Sequence, residues 1–132
     1  MLLVPALLAA SCASAKTPTQ ADLAHRRFVL VSVDGVPFAA AKTPDIEFNE
    51  GFRVSGQICN RYMGQGTLEN GVLTVVQMAS TKMLCTDDAL NRFESEFAAM
   101  LMAGAQLDLS GNTLTLRQGD RVLVYTAKDW VR

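Results

Sequence analysis

The sequence predicts an α+β domain: a curled antiparallel β-sheet or half-open barrel of about seven or eight short strands, with one main helix over about residues 87–103 covering it. Three observations predict it. Short, β-branched, alternating runs recur along the chain and are separated by turn dipeptides such as Asp34-Gly35 and Asn70-Gly71. One segment alone carries a clear helical period. The length, 132 residues, suits a single domain with a real core, and is too short for a (β/α)₈ barrel or a two-domain dehydrogenase.

The elements follow in order. A short helical turn begins near Thr19. Phe28-Val29-Leu30-Val31-Ser32-Val33 reads as a strand ending in the Asp34-Gly35 turn. Val36-Pro37-Phe38 resumes briefly, and Pro37 restricts it to an edge or a turn. Residues 39–44 are loop-like. Ile46-Glu47-Phe48 alternates, Asn49-Glu50-Gly51 turns, and Phe52-Arg53-Val54-Ser55-Gly56 extends again. The glycine-rich stretch from Gly56 to Gly71 reads as turn-rich, with Thr67-Leu68 extended. Val72-Leu73-Thr74-Val75-Val76 is the next strand. Leu90, Phe93, Phe97, Met100 and Leu101 then fall on one helical face. Thr86 is the predicted N-cap, with Asp87 and Asp88 in the electropositive first turn, and Gly104 is the stop. Leu107-Asp108-Leu109, Leu114-Thr115-Leu116 and Val122-Leu123-Val124-Tyr125 are three closing strands, separated by Ser110-Gly111-Asn112 and Gln118-Gly119-Asp120. A short tail follows, in which Trp130 caps the core. Met78, Met83, Met100 and Met102 read as core or helix filling.

Composition narrows function by exclusion. The chain is 49% hydrophobic and 19% charged, with a formal net charge of −1. That near-neutral balance argues against nucleic acid as a partner, which calls for a basic face. His25 is the single histidine, so multi-histidine metal sites are excluded, and no cofactor is expected. No G-x-S-x-G elbow, phosphate loop or H-E-x-x-H occurs, and the chain is expected not to be an enzyme.

The first 11 residues, MLLVPALLAAS, include nine hydrophobic ones and no charge. They are too short to span a bilayer and match the apolar region of an export signal. Small residues precede Cys12, and this resembles a bacterial lipoprotein signal, in which the cysteine is lipid-modified and becomes the new N-terminus. The pattern lacks a basic N-terminal region. The expected organisation is a signal peptide over residues 1–11, a flexible tether over 12–24 and a folded domain over 25–128. Stable attachment needs two or more acyl chains.

Two segments do not read as plain strand: Gly56-Gln57-Ile58-Cys59-Asn60-Arg61-Tyr62-Met63-Gly64-Gln65-Gly66 and Met78-Ala79-Ser80-Thr81-Lys82-Met83-Leu84-Cys85. Together they resemble the paired blocks of the META domain family, and of its heat-shock lipoproteins in particular. The likeness extends to Arg26-Arg27-Phe28-Val29-Leu30, Gly104-Ala105-Gln106-Leu107-Asp108-Leu109 and Asn112-x-Leu114-Thr115-Leu116, covering roughly residues 20–128. The resemblance implies an exported or membrane-associated bacterial protein and carries no established reaction.

With Cys12 assigned to lipid, Cys59 and Cys85 remain in an oxidising compartment. A disulfide joining the two blocks is the first reading, and two buried free thiols the second. Asn60 reads as backbone support in a turn, Gly64 and Gly66 as sites of a bulge or tight bend, and Thr81 as a partner for the opposite block's backbone. Arg61 and Lys82 recur as basic positions of both blocks. They form either an anionic-ligand or partner site, or ordinary solvated charges, or ion pairs with Glu47 or Glu94.

The functional expectation is a non-enzymatic envelope stress-response lipoprotein. It would be a monomer held by lipid on Cys12 at the periplasmic side of the outer membrane, binding an envelope protein or ligand. The alternative is a small apolar-ligand carrier, whose cavity would be lined by side chains such as Phe48, Val54 and Phe97. A third, enzymatic reading requires Arg61, Thr81 and an acidic residue to converge in a cleft.

Overall fold

The structure, a computed structural model, describes residues 15–130, with backbone alone at 129 and 130. The apolar leader and Cys12 lie outside the described residues. The elements are α1 (Gln20–Leu23), β1 (Arg26–Val33), β2 (Val36–Pro37), β3 (Asp45–Phe48), a 3₁₀ turn (Glu50–Phe52), β4 (Arg53–Gln57), β5 (Arg61–Glu69), β6 (Val72–Ser80), α2 (Asp88–Ala103), β7 (Ala105–Ser110), β8 (Thr113–Gln118) and β9 (Arg121–Trp130).

Alternation sets the inside and the outside. Along β7 every second residue is buried, and β5 and β8 alternate likewise up to the partly buried Leu68 and Gln118, as a sheet curled round one core requires. The strands pair antiparallel in the order β2-β1-β3-β4-β5-β6-β7-β8-β9. β1 then pairs with β9, from Arg26↔Trp130 to Val33↔Leu123, so eight strands close into a barrel rather than a half-open sheet. β2 adds two residues beside the end of β1, and Pro37 sits there on an edge, where its missing N–H is tolerated.

β6 and β7 share only the pairs Val72↔Gln106 and Leu73↔Ala105, as few as β3 and β4 do. α2 packs along β6 where the two strands part. Its apolar face, Leu90, Phe93, Phe97, Met100 and Leu101, is buried, and Phe97 meets Tyr62 edge-on at 5.3 Å. Gln118 Nε2 donates to the carbonyls of Met100 (2.9 Å) and Gly104 (2.8 Å), tying the helix end to β8. Inside, Phe28, Phe48, Leu73, Leu107, Leu114, Leu116 and Tyr125 are fully buried.

Several sequence expectations are corrected. The stretch 56–71 is mostly strand: Gly64 and Gly66 take inward positions of β5, where a Cβ would strike Val75 (2.5 Å) and Phe52 O (2.8 Å). These glycines serve close packing, which a turn-signal reading misses. The bulge near Gly64 belongs to β6, because Met63↔Ala79 is followed by Gln65↔Val76 and Gln77 adopts φ 53°. β6 runs on to Ser80. The cap of α2 is Asp87, whose carboxylate accepts from the Leu90 N–H at 3.1 Å, and not Thr86. Met83 and Met102 are exposed. β9 continues to Trp130, whose side chain lies outside the described residues.

The expected tether is packed from Lys16 onward. Lys16 and Leu109 exchange backbone hydrogen bonds of 2.9 and 2.8 Å. Thr19 and Asp22 form a capping box on α1, and Leu23 is fully buried. Buried Pro18 and Leu23, with the pre-capped turn between them, dock a segment whose composition is otherwise small and polar.

Candidate functional site

The two motif blocks meet at one end of the β5–β6 hairpin. The chain bends at residues 58–60 between β4 and β5, and leaves β6 at Thr81. Cys59 and Cys85 are joined by a disulfide, with Cα atoms 5.9 Å apart. Asn60, nearly buried, is the hub beside it. Its Oδ1 accepts from Thr81 Oγ1 (3.0 Å) and the Met83 N–H (2.7 Å). Its Nδ2 donates to Glu94 Oε1 (3.0 Å) and the Met83 carbonyl (3.4 Å). Glu94, on α2, accepts from the N–H groups of Cys59 (3.3 Å) and Asn60 (3.2 Å). Thr81 receives the Arg61 N–H on Oγ1 (3.1 Å) and donates its own N–H to the Arg61 carbonyl (3.0 Å). A buried amide with its donors and acceptor all engaged specifies one geometry.

A groove of about 420 Å³ runs over the outer face beside this junction, lined by Glu47, Gln57, Arg61, Met63, Ala79 and Thr81 among others. A second groove, about 270 Å³, shares Met63 and Ala79 with it and continues to Arg53, Gln65 and Gln77. Alternation explains the lining: Ile46, Val54 and Tyr62 point into the core, so their neighbours point out. At one end Asp45 is held among partners. Arg27 Nε donates to Asp45 Oδ2 at 2.7 Å and lies 3.7 Å from Glu47, while the Gln57 N–H donates to Asp45 Oδ1 at 2.7 Å. Tyr62 reaches across Gly56 to donate to the Asp45 carbonyl at 2.7 Å. A Cβ on Gly56 would collide with that carbonyl and with the Tyr62 ring. Burial pushes the Tyr62 hydroxyl well above its ordinary range, helped by nearby Tyr125, Asp45 and Glu47. Burial raises Tyr125 likewise.

Of the residues singled out in the sequence, the structure gathers Cys59, Asn60, Thr81 and Cys85 into one clamp, with Arg61 and Lys82 exposed at its rim. Gly64 lies apart, in the barrel wall. Of the alternatives open for Arg61 and Lys82, the ion pairs with Glu47 or Glu94 do not form. Glu47 faces Arg27, and Glu94 turns to the first block, where the backbone N–H groups of Cys59 and Asn60 and the Asn60 side-chain amide take the place of a cation. No sequence motif singles out a role for Asp45 or Tyr62. Asp45 was legible as the outward neighbour of inward Ile46, whereas the crossing of Tyr62 over Gly56 has no linear signal.

Arg61, Thr81 and the acids Asp45 and Glu47 do converge on the groove. The Thr81 hydroxyl already donates to Asn60, both acids sit against Arg27, and no base is placed to activate a nucleophile among the described residues. Phe48, Val54 and Phe97, the expected walls of an apolar-ligand cavity, are buried in the packed core, with Phe48 stacked on Phe52 at 5.5 Å and Phe97 on Phe93 at 5.6 Å.

The META domain sequence profile matches residues 21–130. The chain is 44% identical over 128 residues to heat shock protein HslJ of Escherichia coli (strain K12), covering 93% of this chain and 90% of that protein. A solved NMR structure matches with a TM-score of 0.75 and 42% identity, over 83% of this chain and 94% of its own. Another, of a Burkholderia xenovorans protein, matches with a TM-score of 0.67 over 95% and 99% of the two chains, and at 18% identity it shares the fold alone.

Proposed function

The chain belongs to the META domain family, and from that membership we propose that it is a non-enzymatic stress-response lipoprotein of the bacterial envelope. Lipid on Cys12 anchors it to the periplasmic side of the outer membrane, and the outer groove beside the two motif blocks binds an envelope partner. The observation that carries this reading is the groove itself, built by those blocks and lined by an exposed guanidinium, hydroxyls and the Met63 side chain. Such a surface suits a partner offering both a carboxylate and apolar area. The heat-stress role is supported by the 44% identity to a protein named for heat shock.

The test is crosslinking in intact heat-stressed cells, alongside fatty-acid labelling. Wild type should take up label and yield an adduct. Cys12→Ala should lose the label. Ala79→Trp, at an exposed position that lines both grooves, should keep the label and lose the adduct. Unchanged labelling in Cys12→Ala would remove the anchor, and an unchanged adduct in Ala79→Trp would remove the groove.

A further inference from the structure

The segment leaving β6 is held with unusual completeness for an exposed loop. Thr81 bonds the Arg61 backbone through its N–H and hydroxyl. Met83 is gripped at both N–H and carbonyl by Asn60. Cys85 is covalently fixed to Cys59, and its carbonyl accepts from Asn91 Nδ2 at 2.6 Å. Yet this scaffold holds apolar side chains out in water: Met83 is 63% exposed and Leu84 is 91% exposed. Single exposed leucines are ordinary. Two adjacent apolar side chains on a backbone fixed by a disulfide and a buried amide are different, because the ordering cost of binding is already met in the fold. Exposed Lys82 and Arg61 flank them, and among the described residues neither makes an ion pair.

The placement of this loop selects its partner. Thr17 lies against Gly71, where a Cβ would meet it at 2.5 Å, at the far turn of the β5–β6 hairpin. A nine-residue strand such as β6 is roughly 30 Å long. Cys12 precedes Lys16 by four residues, a reach of at most about 14 Å. A lipid on Cys12 therefore holds the Gly71 end towards the membrane and sends residues 82–84 away from it.

We propose that Lys82-Met83-Leu84 is a preorganised docking tip that inserts Met83 and Leu84 into an apolar recess, rimmed by carboxylates, on a protein of the aqueous compartment. Its direction rests on the anchored reading of Cys12. The groove of the preceding section is a neighbouring but separate surface, because Met83 and Leu84 do not line it.

The test places a photo-reactive benzophenone side chain at Leu84 or, as a control at the opposite end, at Glu69, in the full-length protein in cells. The Leu84 probe should give one discrete protein adduct that the Glu69 probe does not. Lys82→Glu should weaken that adduct about tenfold, and Lys82→Arg should leave it within about twofold. An adduct with phospholipid, an adduct with a second copy of the chain, no adduct, or one indifferent to Lys82→Glu each overturns the tip. Fatty-acid labelling in the same cells separates the two readings. Retained label with no Leu84 adduct sinks the tip and leaves the anchor standing, whereas absent label with a charge-dependent adduct does the reverse.

Discussion

Two tyrosines show how differently one hydroxyl is treated. Tyr62 donates to the Asp45 carbonyl, while the buried Tyr125 hydroxyl has no hydrogen-bond partner among the described residues. Tyr62→Phe should therefore cost about 1 kcal/mol in urea unfolding, and Tyr125→Phe should be neutral or slightly stabilising. Both hydroxyls are held above their ordinary value by burial. As pH climbs past about 10 the unfolded chain releases these protons first, so stability is intact below that pH and falls above it. The alkaline slope should be about 1.4 kcal/mol per pH unit for each tyrosine, and each Phe variant should flatten it. Asn60→Ala removes bonds to Thr81, Met83 and Glu94, and should cost about 2–3 kcal/mol by denaturant titration. Asn60→Asp should be no better, since it sets a second carboxylate against Glu94.

Among the elements, the staple between the two blocks ties β4 and β5 to the segment that enters α2. Its 26-residue separation corresponds to about 3.5 kcal/mol in the loop-entropy account. Urea midpoints with and without reductant should differ accordingly, and Cys59→Ala/Cys85→Ala should match the reduced protein. The N-terminus of α2 offers a sharper contrast. Asp87 caps Leu90 and also accepts from the Ala41 N–H at 3.0 Å, and these bonds lower its pKa. Asp87→Ala should lower the thermal midpoint and Thr86→Ala should not. Asp87's contribution should fade as pH falls below the ordinary carboxylate range. The helix was legible because five apolar residues keep one period. Its cap was not, because Thr86, Asp87 and Asp88 are all good capping types and three-dimensional contact with Ala41 decides among them. β5 was hidden for a related reason: glycines at inward positions look like turns until the crossing side chains, Phe52 and Val75, are known.

For the molecule as a whole, the alternating runs made an antiparallel, curled sheet readable, because period 2 survives any closure. What composition does not carry is which strands meet, and so the closure of β1 on β9 appears only in three dimensions. The same holds for the clamp, whose cysteines, Asn60 and Thr81 could be named from their blocks while Glu94 joins them from α2. The docked N-terminal segment yields its own prediction: Leu23→Ala should cost about 2–5 kcal/mol although it precedes every strand. The β1–β9 ladder also has a temporal consequence. Its partners lie nearly a whole chain apart, Arg27 with Asp129 and Val33 with Leu123. Any machinery that delivers the polypeptide from its first residue onward, whether ribosome or translocon, releases β1 long before β9 exists on the same side. During that interval one edge of β1 stays open, and the barrel can shut only when the last strand arrives. Closure thus waits on the strand that lies farthest from β1 in sequence.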